Sequence, residues 1–135
     1  MALDRGAAKT GAGVYYEATT GGGMPIIGVM TQAMQANSIM EIKAIINGTT
    51  NYILSKMTQE GADYAEVLKD AQALGYAEAN PVADVEGYDS SYKLSILSSL
   101  AFNKRLPVEL ISREGITNIT KTDITVAREL GFVIK

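Results

Sequence analysis

The chain has 135 residues, 47 % of them hydrophobic, with 12 basic and 15 acidic side chains and a net charge of −3. That suits a single globular domain with a real core, and the lack of any Lys/Arg run argues against a nucleic-acid backbone as partner. There is no cysteine and no histidine, which removes thiols, disulfides, imidazole bases and the usual zinc ligands, so acid–base work falls to Lys, Asp, Glu or Tyr.

No apolar run approaches the roughly 20 residues of a membrane span, and MALDRGAAKTGAG has neither a signal-peptide nor a transit-peptide pattern. No membrane partner and a cytoplasmic location are therefore expected. Residues 1–13 are small and Gly/Ala-rich and define no face, so they read as a loosely ordered start, with DRGAAK as the ragged end of a helix. VYYEAT, from Val14 to Thr19, is β-branched and aromatic and stops at a glycine triplet, as a strand would. Gly21-Gly22-Gly23-Met24-Pro25 then leads into IIGVMTQAMQ, where Ile27, Met30 and Met34 recur at helical spacing. This glycine turn is neither a dinucleotide fingerprint nor a P-loop, and a tight structural turn is its simpler reading.

SIMEIKAII, Ser38 to Ile46, alternates Met40, Ile42, Ala44 and Ile46 with Glu41 and Lys43, which predicts a half-buried strand. Asn47 to Asn51 reads as a turn and helix cap before YILSKM, and Gly61 ends that helix. Asp63 and Glu66 have the spacing of a capping box for a helix carrying Tyr64, Leu68, Ala71 and Leu74 on one face, closed by Gly75. Asn80-Pro81 disfavours helix, and a long helix is predicted from about Asp84 to Phe102. Beyond it, VELISREGITNIT reads as an irregular connection whose isoleucines plug the core. Thr122 is placed to cap DITVARELG, and FVIK reads as a strand. The fold expected is α+β, a mixed and largely antiparallel sheet with helices on one face.

The most informative stretch is GYAEANPVADVEGYDSSYK, Gly75 to Lys93. At about 100° per residue, Ile96, Leu97 and Leu100 fall near Asp89 and Lys93, while Ser91, Ser95 and Ser98 fall opposite. An acid and a base four residues apart are most often a solvated ion pair. On a buried face such a pair is expensive without a partner or a task, so Asp89 and Lys93, with Glu78 and Asp84 just upstream, look like a site.

YEATTGGGMPII, NGTTNYIL and AQALGYAEANPVADVEGYDSSYKL, in this order, resemble the catalytic domain of homoserine dehydrogenase over about residues 14–135. The resemblance implies an oxidoreductase interconverting L-homoserine and L-aspartate 4-semialdehyde with NADP or NAD, on the way to threonine and methionine. It places substrate binding on Glu78, Asp84 and Asp89, proton transfer on Lys93 with Asp89 beside it, and cofactor contact on Gly75. It places a sodium ion on Glu17, Thr20, Gly22 and Met24. It also implies a small-molecule substrate and a homodimer. Family members carry a nucleotide-binding domain that these residues lack, so an excised catalytic domain with little or no activity alone is expected. Two alternatives stay open: the substrate domain of another two-domain dehydrogenase acting on a different aldehyde or imine, and a non-catalytic small-molecule-binding or dimerisation domain.

Overall fold

The structure is a computed structural model and describes residues 6, 7 and 9–135. The helix end expected at DRGAAK lies partly outside those residues. Among the described residues the architecture is helical, in the order α1 (Ile26–Gly28), running into a π-helical turn (Val29–Ala33), then α2 (Gly48–Glu60), α3 (Tyr64–Ala73), α4 (Val82–Val85) and α5 (Tyr88–Ala101). A 3-10 turn (Val108–Leu110) and α6 (Lys121–Glu129) complete it.

The expected α+β fold is therefore wrong for this chain: there is no strand among the described residues. The reason is pairing. Period-2 alternation specifies a half-buried extended chain, but a strand exists only when a neighbouring backbone takes its N–H and C=O groups. Residues 38–46 form neither helix nor strand and, among the described residues, take part in no backbone–backbone hydrogen bond. Ile42 and Ile46 turn inward while Met40 is 88 % exposed. Val14–Thr19 bends at Glu17, and residues 132–135 stay irregular. Ile42, Ala44, Ile45 and Ile46 line two cavities, of about 420 and 600 Å³.

The helical part closes on itself. Ile53, Leu54 and Met57 of α2 pack with Val67 and Ala71 of α3, Ala77, Val85 of α4 and Ile124 of α6. Ile116 and Ile119 pack against this cluster, as expected of the connecting isoleucines. Local chemistry starts and stops the helices largely as the sequence predicts. Asn47 Oδ1 accepts the Thr50 N–H at 2.8 Å to open α2. Glu66 accepts the Asp63 N–H at 3.4 Å at the start of α3. Gly75 ends α3 at φ 80°, where a residue with a Cβ would be strained, and the Tyr76 N–H returns to the Ala71 carbonyl at 2.8 Å.

Four details differ from the periodicity. Leu74 is 64 % exposed, and Val67 joins Ala71 on the buried face instead. The long helix does not begin at Asp84, because Gly87 at φ 76° breaks it into α4 and α5. Thr120, not Thr122, caps α6, in a reciprocal box with Asp123. The serine side of α5 is buried: Ser91, Ser95 and Ser98 are at most 8 % exposed. Hydroxyls are affordable there because they find carbonyls, Ser91 on Gly87 at 2.8 Å and Ser95 on Leu106, and their small size lets the chain after α5 lie close.

Candidate functional site

Three of the acid–base residues singled out in the sequence meet where α2, α4 and α5 begin or end. Asp84 lies on α4 and Asp89 in the first turn of α5, one on each side of the left-handed Gly87. Lys93 follows one turn along α5, its Nζ 2.7 Å from Asp89 Oδ2. Its second partner is the Ile46 carbonyl, 2.9 Å away, at the end of the extended segment. The Lys93 and Asp89 side chains are 20 % and 30 % exposed, so this pair is not the freely solvated ion pair that four-residue spacing usually means.

Asn47 completes the group and was read from the sequence only as a cap. It is 6 % exposed, and its Nδ2 donates to Asp84 Oδ1 at 2.7 Å and to Asp89 Oδ2 at 2.8 Å. A cap signal marks an acceptor oxygen; nothing in local spacing announces two carboxylates arriving from residues 84 and 89. A cavity of about 420 Å³ reaches Asn47 and Asp84.

A brace at the α4–α5 joint was also illegible. Glu86 accepts the Thr117 hydroxyl at 3.0 Å, and its carbonyl accepts Arg113 Nη1 at 2.7 Å. The Arg113 guanidinium lies 3.6 Å over the Tyr88 ring, and the Ile116 N–H reaches the Val85 carbonyl at 2.8 Å. Gly115 permits that approach, since a Cβ there would meet Glu86 Oε2 at 2.7 Å and the Val85 carbonyl at 2.9 Å.

The other predicted site residues lie apart from this network. Glu78 is exposed, and its carbonyl, not its carboxylate, is held, by Gln72 Nε2 at 3.0 Å. Gly75 is exposed, and the space where a side chain would point is open. Glu17 spans the first turn of α1, Oε1 accepting the Ile27 N–H at 2.7 Å and Oε2 the Gly28 N–H at 2.8 Å. Thr20 is buried, while Gly22 and Met24 of the glycine turn are exposed. Tyr52 and Tyr76 stack on each other at 4.6 Å with Tyr76 56 % exposed.

An ammonium held between a carboxylate and a carbonyl, beside a second carboxylate, is chemically able to give up or take a proton. A homoserine dehydrogenase family profile matches residues 25–135. The chain is 54 % identical to the homoserine dehydrogenase of Synechocystis over 93 % of its own length and 29 % of that protein's. Its fold matches the crystal structure of a homoserine dehydrogenase from Thiobacillus denitrificans with a TM-score of 0.87 and 48 % identity, covering 90 % of this chain and 28 % of that one. It also matches a hyperthermophilic archaeal homoserine dehydrogenase in complex with NADPH, with a TM-score of 0.77 and 33 % identity, over 87 % of this chain and 36 % of that one. The chain belongs to the homoserine dehydrogenase family, and it spans less than a third of the length of the curated relatives it matches. Among the described residues no helix is long and apolar enough to cross a membrane.

Proposed function

We propose that these residues form the catalytic part of an NAD(P)-dependent oxidoreductase that interconverts L-homoserine and L-aspartate 4-semialdehyde in threonine and methionine biosynthesis. The observation that carries this reading is the Lys93 ammonium, fixed 2.7 Å from Asp89 and 2.9 Å from the Ile46 carbonyl in a family whose members are dehydrogenases. In the reductive direction Lys93 gives its proton to the aldehyde oxygen as that oxygen becomes an alkoxide; in the oxidative direction it takes the proton back. Asp89 holds the ammonium in place and balances its charge. Glu78, Asp84 and Asp89 bind the substrate, Glu78 and Asp89 at its amino end.

NAD(P)H, when bound, supplies the hydride. Gly75 suits contact with it, since a bare, exposed backbone with open space beside it allows close approach. Most of the nucleotide's contacts belong to a domain outside these residues, so the 135 residues alone have little or no turnover. The reading extends to a cytoplasmic homodimer and to a sodium ion held by Glu17 and the carbonyls of Thr20, Gly22 and Met24. Each Glu17 oxygen receives one backbone N–H in the structure and keeps a lone pair for a hard cation.

The test is aspartate-semialdehyde-dependent oxidation of NAD(P)H by this chain fused to the nucleotide-binding segments of a relative, beside the Lys93→Ala variant. Restored turnover that falls about 10²–10⁴-fold in the variant is the expected result. A loss of only a few-fold would remove Lys93 from the chemistry.

A further inference from the structure

Asn47 carries more bonds than a helix cap needs. Its Oδ1 accepts the Thr50 N–H at 2.8 Å and the Thr50 hydroxyl at 2.9 Å, which is the capping function. Its two Nδ2 protons go to two different carboxylates, Asp84 Oδ1 at 2.7 Å and Asp89 Oδ2 at 2.8 Å. Every polar site of this nearly fully buried amide is therefore used. Aspartate, serine or threonine could cap the helix as well, but only a side-chain amide caps and also offers two donors.

The oxygen it reaches on Asp89 is the one that Lys93 Nζ touches at 2.7 Å. Without a donor between them, two aspartates on either side of Gly87 repel each other, and Asp89 is free to swing away from Lys93. We propose that Asn47 is a positioning residue: its amide ties Asp84 to Asp89 and so fixes the Asp89 oxygen against the Lys93 ammonium. The consequence for turnover rests on the dehydrogenase reading above; the positioning itself does not.

The experiment therefore needs neither substrate nor cofactor. Reductive methylation of the 135-residue chain is followed by peptide mass spectrometry, with the exposed Lys69 and Lys104 as internal references. Asn47→Ser keeps a capping oxygen and removes both donors, so Lys93 should label several-fold faster while the references hold their rates. Lys93 labelling within about twofold of the unsubstituted chain, in a variant of unchanged helicity, overturns the proposal. Asn47→Thr serves if the serine variant fails to fold. In the unsubstituted chain, both Nδ2 protons of Asn47 should exchange with solvent at least about tenfold more slowly than those of the exposed Asn118. Exchange at the Asn118 rate overturns the proposal even if neither variant folds. If Asn47 behaves as expected and the restored enzyme of the previous section is inactive, the catalytic reading falls and the positioning role stands.

Discussion

Residues 47–131 and residues 14–46 solve the same problem in different ways. In the first region α2, α3 and α6 are capped by residues within a turn of their own starts, and the helices share one core, with Ile53, Leu54, Met57 and Val67 at 2 % exposure or less. In the second, the segment 38–46 has no backbone partner among the described residues, Met40 and Ile45 are 88 % and 59 % exposed, and two cavities are lined by residues 42–46. A helix satisfies its own backbone and needs company only for its side chains; an extended chain needs company for both. The site straddles the two, because Lys93 belongs to the first region while its second anchor, the Ile46 carbonyl, ends the second.

The largest expected effect tests whether the core lies only in the first region. Leu54→Ala removes a side chain that is 2 % exposed and should cost about 2–5 kcal/mol in urea or thermal unfolding. Ile42→Ala, in the extended segment beside two cavities, should cost less than about 1 kcal/mol by the same measurement, since its neighbours already leave space around it. Equal costs would mean that the extended segment is core after all. Gly115→Ala comes next and sharpens the contrast inside the first region. The new Cβ would press on the Val85 carbonyl at 2.9 Å, so backbone must move, at about 1–3 kcal/mol. The displaced joint also carries Asp84 and Asp89, so Lys93 should become more reactive to amine reagents in the folded variant.

What the sequence made legible follows the same line. Signals that act within a turn of helix were readable: the Asn47 cap, the Asp63–Glu66 pair and the stops at Gly61 and Gly75 all occur where the residues place them. The alternation at Met40–Ile46 was equally clear and still misled, because period 2 reports extension and says nothing about a partner. At the site, Asp84, Asp89 and Lys93 were visible as a patterned run. Asn47 and Arg113 were not, because their roles depend on contacts 37 to 42 residues away for Asn47 and 27 for Arg113. The burial of the α5 serines was missed for a related reason: hydropathy counts a serine as polar, whereas here its hydroxyl is paid off by carbonyls at Gly87 and Leu106.

A smaller effect probes how the second region holds itself together. Glu17 spans the Ile27 and Gly28 amides, and glutamine in its place would turn an NH2 group toward one of those donors. Glu17→Gln should cost about 1–2 kcal/mol locally, read as faster amide exchange at Ile27 and Gly28. The unfolding midpoint of the helical region should hardly move. A matching loss across α2 and α3 would show that the two regions unfold as one.

The smallest effect lies at the edge of the helical region and is a matter of sign. The Thr120 hydroxyl and N–H, 2.6 and 2.8 Å from Asp123 Oδ2, hold that carboxyl below its ordinary value of 3.8. A group whose pKa is lower when folded stabilises the fold above its unfolded value and loses that contribution as pH falls through the folded one. The difference in melting midpoint between the unsubstituted chain and Asp123→Asn should thus be constant near neutrality and shrink as pH falls through 3.8 and below. Lys121, raised above 10.5 by its hydrogen bond to Asp63, has the opposite sign: its contribution is present below 10.5 and is lost as pH rises past it. Alkali should therefore erase the effect of Lys121→Met while leaving that of Asp123→Asn, and acid should erase that of Asp123→Asn. A midpoint difference for Asp123→Asn that persists unchanged in acid would assign its effect to helix propensity instead of the Thr120–Asp123 box.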